Sequence, residues 1–192
     1  TRHIGLGATY STTYHSPFHV ARTFATLDHL SGGRAAWNVV TSVNDSEAQN
    51  HGLDATLDHD ARYDRADEFL EATVGLWDTW DDDALVLDRA AGHFAHADKV
   101  RELGHDGPYF KVRGPLTVPR GPQGRPVLLQ AGSSGRGRDF ASRWAEVIFT
   151  GDPNVDGARA HYRDQKDRIA DGGRDPDRVK MLPMAYAVVA ET

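Results

Sequence analysis

Two rhythms of apolar residues alternate along this chain: short continuous runs, as expected of buried strands, and longer stretches that repeat at helical spacing. The first run is His3 to Ala8. A polar turn leads to Ser16-Pro17, a capping serine with proline in the first helical position, where a missing N–H is harmless. Phe18, Ala21, Phe24, Ala25 and Leu27 follow at helical spacing, and Ser31-Gly32-Gly33 is expected to end the helix. Ala35 to Val40 predicts a second strand. A long polar loop, Ser42 to about His59, precedes a second helix over about Asp60 to Trp80. Its apolar side holds Tyr63, Ala66, Phe69, Leu70, Val74 and Trp77; Arg62, Arg65 and acidic residues take the other.

Residues 82–124 break the rhythm with glycine, proline, histidine and short alternating pieces such as Tyr109-Phe110-Lys111-Val112. They read as an irregular insertion with a short hairpin. The alternation resumes with a strand from Pro126 to Ala131, the turn Gly132-Ser133-Ser134-Gly135 and a helix to about Trp144. A strand from Glu146 to Phe149, a helix from Val155 to Ala170 and a last strand from Val179 to Ala190 complete the series. About five strands and four helices in strict alternation predict an α/β fold with a parallel sheet and right-handed crossovers. An open doubly wound sheet and a (β/α)8 barrel both fit. Under the barrel reading residues 1–192 form a single partial TIM-barrel domain, because a whole barrel takes about 250 residues. Both ends fall in strand-like segments, which reads as an internal piece of a longer chain.

Composition narrows the chemistry. With 192 residues and a net charge of -6, the chain lacks the clustered positive charge of a nucleic-acid or anionic-membrane surface. No apolar run approaches the roughly 20 residues that span a bilayer. The absence of cysteine removes disulfides, thiolate metal sites and thiol nucleophiles, and suits a cytoplasmic protein.

In parallel α/β folds ligands bind beyond the carboxyl ends of the strands. Here those ends offer Thr9-Tyr10-Ser11-Thr12, Thr41-Ser42, Gly132-Ser133-Ser134-Gly135 and Thr150-Gly151. None pairs a nucleophile with a base. The serine turn opens a helix and suits a phosphate, with Arg136 and Arg138 available to add charge; it also reads as an ordinary N-capped turn. His59 and Tyr63, four apart, share a helical face and suit an anion or a polar ring edge, or else pack into the core. His93, His96 and His105 lack a zinc-motif context and read as a histidine-rich loop. Asp81-Asp82-Asp83 and the pair Glu68/Glu71 read as solvated.

A set of uncommon strings in order identifies a family resemblance. Ile4-Gly5-Leu6, Thr9-Tyr10-Ser11-Thr12, Leu27-Asp28-His29-Leu30-Ser31-Gly32-Gly33-Arg34 and Trp37-Asn38-Val39-Val40-Thr41-Ser42 come first. Asp60-Ala61-Arg62-Tyr63, Gly114-Pro115-Leu116, Pro122-Gln123-Gly124-Arg125 and Gln130-Ala131-Gly132-Ser133-Ser134 follow. Over roughly residues 1 to 150 the chain resembles the luciferase-like flavin monooxygenases, within them the group of nitrilotriacetate monooxygenase component A and dibenzothiophene-sulfone monooxygenase. The resemblance implies a (β/α)8 barrel that binds reduced FMN, delivered by a separate NAD(P)H:flavin reductase, and uses O2 to oxygenate a small organic substrate. It places Thr9, His59, Tyr63 and Ser133 or Ser134 (Ser134 preferred) at the flavin, with Asn38 and Thr41 lining the same mouth. It also implies a homo-oligomer at full length. No catalytic acid or base follows from it. A deazaflavin-dependent oxidoreductase of the same superfamily and a non-catalytic fragment are the alternatives.

Overall fold

The computed structural model describes residues 2–185, 187, 189 and 190. They form two compact units, residues 1–127 and 128–192.

The first unit runs β1 (Leu6–Ser11), α1 (Pro17–Ser31), β2 (Ala35–Val40), α2 (Asp45–Gln49) and α3 (His59–Trp77). β1 lies parallel to β2, with Leu6 opposite Ala35 and Ser11 opposite Val40. Along β2 the alternate residues Ala35, Trp37 and Val39 are buried. Trp37 is fully enclosed by Phe24 of α1 and by Phe69 and Trp77 of α3. Its indole N–H donates to the Tyr10 carbonyl at 3.0 Å. One face of the β1–β2 pair is therefore sealed by helices, and the opposite face presents Thr9 and Asn38.

Local signals set the helix ends. Ser16 Oγ accepts from the His19 N–H, and Gly32 closes α1 in a left-handed conformation at φ 67°. The buried stripe of α1 is Val20, Ala21, Phe24, Ala25 and Asp28, so Leu27 lies off the stripe, 40% exposed. The first strand runs three residues later than the apolar run suggests, because Thr9, Tyr10 and Ser11 pair with β2 in place of turning away. The expected 42–59 loop contains α2, and α3 stops at Trp77, short of Trp80.

The segment 82–124 holds two antiparallel pairs: β3 (Leu85–Asp88) with β4 (His93–Ala95), and β5 (His105–Asp106) with β6 (Lys111–Val112). It is anchored to α3 through Glu68, a residue expected to be solvated but buried here. Its carboxylate lies 3.0 Å from His105 Nε2 and accepts from the N–H groups of Tyr109 at 2.9 Å and Phe110 at 2.8 Å. Burial pushes the Glu68 carboxyl up, but the His105 contact and those N–H groups outweigh it, and the net shift is down. A lowered folded-state value stabilises fully above the ordinary glutamate value of about 4.3 and is lost as pH falls through the folded one. Glu68→Gln removes that titration. Between about pH 5 and pH 3 its urea midpoint is expected to fall less steeply than that of the wild type; parallel profiles would rule the contribution out.

The second unit contains β7 (Val127–Gln130, its first residue at the boundary), α4 (Gly135–Trp144), β8 (Val147–Thr150), α5 (Val155–Asp171) and β9 (Lys180–Pro183). β7 is parallel to β8 and β8 to β9. Ala141, Ala145, Ile148, Ile169 and Val179 form its core. The last strand is shorter than its apolar run; of the expected extension, residues 186 and 188 lie outside the described residues. The five expected parallel strands are thus β1, β2, β7, β8 and β9, each separated from the next by helix.

Candidate functional site

In the first unit the flavin candidates sit at the carboxyl ends of β1 and β2 and at the start of α3. Thr9 is exposed, and its Oγ1 accepts from Asn38 Nδ2 at 3.0 Å. The Asn38 Oδ1 is buried and has no hydrogen-bond partner among the described residues, an acceptor left over on the face away from the helices. Thr41 is buried, and its carbonyl accepts from Thr13 Oγ1 at 2.6 Å. That contact ties the two strand ends together.

His59 and Tyr63 meet as their spacing suggests, ring centroids 5.1 Å apart. Tyr63 is 7% exposed, while the His59 side chain stays 45% exposed with Nδ1 2.7 Å from Asp60 Oδ1. Asp58 caps the helix by accepting from the N–H groups of Asp60 and Ala61, and these hold its carboxyl below the usual range.

Two residues fix this corner that spacing did not single out. Ser42 has a left-handed backbone, φ 54°, uncommon for a residue with a side chain. Its Oγ lies 2.8 Å from both Ser11 Oγ and Glu47 Oε1. Arg62, expected on the polar face of α3, is buried and donates to the Ser42 carbonyl and to that of Asp58. It joins the end of β2 to the first turn of α3. The only sequence signal for it was its place inside the string Asp60-Ala61-Arg62-Tyr63.

In the second unit, Ser133 and Ser134 are both exposed. Ser134 is the N-cap of α4: its Oγ accepts from the Gly137 N–H at 3.0 Å. Open space lies beside Gly135, where a Cβ would meet nothing within 4 Å beyond its chain neighbours and its own helix backbone. Arg138 does not reach toward that space. It donates to the Ser133 carbonyl at 3.1 Å and to Asp164 of α5 at 3.0 Å.

His105 turns to Glu68, and His93 meets His96 edge-on at 5.1 Å. Among the described residues no group of three His, Cys, Asp or Glu is placed to hold a metal. No described helix is long and apolar enough to cross a membrane.

The model of the luciferase-like monooxygenases matches residues 1–192, beyond the roughly 150 residues over which the strings were legible. The chain belongs to this family. It is 58% identical over 192 residues to dibenzothiophene-sulfone monooxygenase of Rhodococcus erythropolis, covering 100% of this chain and 42% of that protein. It is 48% identical to nitrilotriacetate monooxygenase component A of Aminobacter aminovorans, with the same coverage of 100% and 42%. A solved structure of riboflavin lyase with modified FMN and riboflavin aligns at a TM-score of 0.91 and 40% identity, over 95% of this chain and 41% of that one. The chain thus spans less than half the length of these relatives, and its strand–helix series is part of the luciferase-like (β/α)8 barrel.

Proposed function

We propose that the full-length protein is the flavin-using component of a two-component monooxygenase. In this reading it binds reduced FMN made by a separate NAD(P)H:flavin reductase and uses O2 to oxygenate a small organic substrate, in the cytoplasm and as a homo-oligomer. Residues 1–192 are read as part of a single barrel domain.

The observation that carries the reading is the Ser133-Ser134 turn. A capping serine at the N-terminal end of α4, beside open space at Gly135, is suited to a phosphate monoester. The resemblance assigns residues of the first unit to the flavin as well. The leftover Asn38 Oδ1 suits an N–H of the flavin ring, with Thr9 holding the amide; His59 and Tyr63 offer a polar edge at the start of α3. Reduced flavin, once bound, would supply the electrons that activate O2, while the chain binds, orients and excludes water.

The test is oxygen uptake by the full-length protein with photoreduced FMN. Uptake coupled to oxygenation of an organic acceptor, with no need for NAD(P)H once the flavin is reduced, is expected. Binding of a deazaflavin without any reaction with oxygen would replace the reading by hydride transfer. A secondary alcohol dehydrogenase of that kind shares the fold alone, at 17% identity and a TM-score of 0.68. Failure to bind either cofactor would leave a non-catalytic protein.

A further inference from the structure

We propose that Arg138 is a positioning residue for the phosphate-binding turn, held by Asp164 of α5, and not itself a phosphate ligand. The proposal rests on the reading of Ser133-Ser134 as the FMN phosphate subsite.

Arg138 occupies the first turn of α4, where the helix dipole disfavours a cation. Asp164 offsets that: Arg138 Nη1 donates to Asp164 Oδ2 at 3.0 Å. Asp164 is itself fixed by Arg168, whose Nε lies 3.1 Å from both carboxylate oxygens, and Arg168 also pairs with Asp139 of α4. A second tie runs beside the first. The side-chain amide of Gln165, fully buried, donates to the Arg138 carbonyl at 3.1 Å. The guanidinium is thereby committed to α5.

Its contact with the turn matters most. Arg138 Nε donates to the Ser133 carbonyl at 3.1 Å. The peptide between Ser133 and Ser134 is trans, since Gly114-Pro115 is the only cis bond among the described residues. In a trans peptide the carbonyl and the following N–H point in opposite directions. Holding the Ser133 oxygen toward Arg138 therefore turns the Ser134 N–H the other way, and it withdraws an acceptor that would repel a phosphate. The arginine sets the polarity of the turn without touching the anion.

The experiment compares FMN with riboflavin, which lacks the phosphate, on the full-length protein by flavin-fluorescence titration. Wild type is expected to prefer FMN. Arg138→Gln frees the Ser133 peptide and is expected to weaken FMN about tenfold with riboflavin unchanged, the loss of about one charge-assisted contact. Asp164→Asn separates the alternatives by sign. If Arg138 positions the turn, releasing it from α5 weakens FMN. Were Arg138 a phosphate ligand, release of its charge would leave FMN binding equal or tighter, and the proposal would fall. Equal losses for FMN and riboflavin in both variants would mark a plain structural tie and also overturn it. A wild type with no preference for FMN would instead remove the phosphate subsite itself.

Discussion

Replacing Ser134 with aspartate in the full-length protein is expected to weaken FMN binding about a hundredfold while leaving α4 in place. Aspartate caps helices as well as serine does, so the Gly137 N–H keeps its acceptor. What changes is charge. A carboxylate at the cap replaces a neutral hydroxyl with an anion next to the phosphate. At about 4 Å and an effective dielectric near 20, two unit charges repel by about 4 kcal/mol. Ser134 is exposed, so screening reduces that to on the order of 3 kcal/mol, roughly a hundredfold in Kd. Far-ultraviolet circular dichroism and the unfolding midpoint should match wild type, and riboflavin affinity should hold. An FMN affinity within threefold of wild type would remove Ser134 from the site.

Much of the scaffold is legible from short-range signals. Ser16-Pro17, Gly32 and Ser134 each mark a helix end by chemistry confined to one turn, and the structure places helix ends at all of them. The contact of His59 with Tyr63 follows from four-residue spacing alone. Contacts between distant segments are a different matter. Glu68 looks solvated because its partners are 37 to 42 residues away, in an insertion with no regular period. Arg62 looks polar-faced because the carbonyl it serves is 20 residues earlier. The hydrogen bond between Thr9 and Asn38 depends on strand register across 29 residues, which no local pattern reveals. Arg138 is the instructive case for the site. Its type and position suggested a phosphate contact, whereas Asp164, 26 residues on, turns the same charge toward the scaffold.

Asp28→Ala is expected to destabilise the folded protein by about 3 to 5 kcal/mol, since about three buried N–H donors lose their acceptor at roughly 1 to 3 kcal/mol each. Asp28 lies on α1 with no exposed surface. Its carboxylate accepts from the Gln123 backbone N–H at 3.1 Å, the Gln123 side-chain amide at 2.6 Å and the Ala35 N–H at 3.4 Å. That amide also donates to the Ala35 carbonyl at 2.9 Å, and a Cβ on Gly121 would come within 2.5 Å of Asp28 Oδ2. One carboxylate therefore joins α1, the first residue of β2 and the segment returning from the insertion. Truncation leaves buried N–H groups unsatisfied as well as a gap, so the cost exceeds that of the lost bonds alone. Asp28→Asn retains the volume and one carbonyl acceptor and should cost less than half as much. Urea unfolding of Asp28→Ala, Gln123→Ala and the double variant should return a coupling energy of about 1 to 3 kcal/mol. Strict additivity, or a loss below about 1 kcal/mol for Asp28→Ala, would refute the joint. The same contact explains why Leu27-Asp28-His29-Leu30-Ser31-Gly32-Gly33-Arg34 and Pro122-Gln123-Gly124-Arg125 belong to one signature. They are distant in sequence but meet at a single carboxylate, which holds β2, and with it Asn38, where the proposed flavin contact needs it.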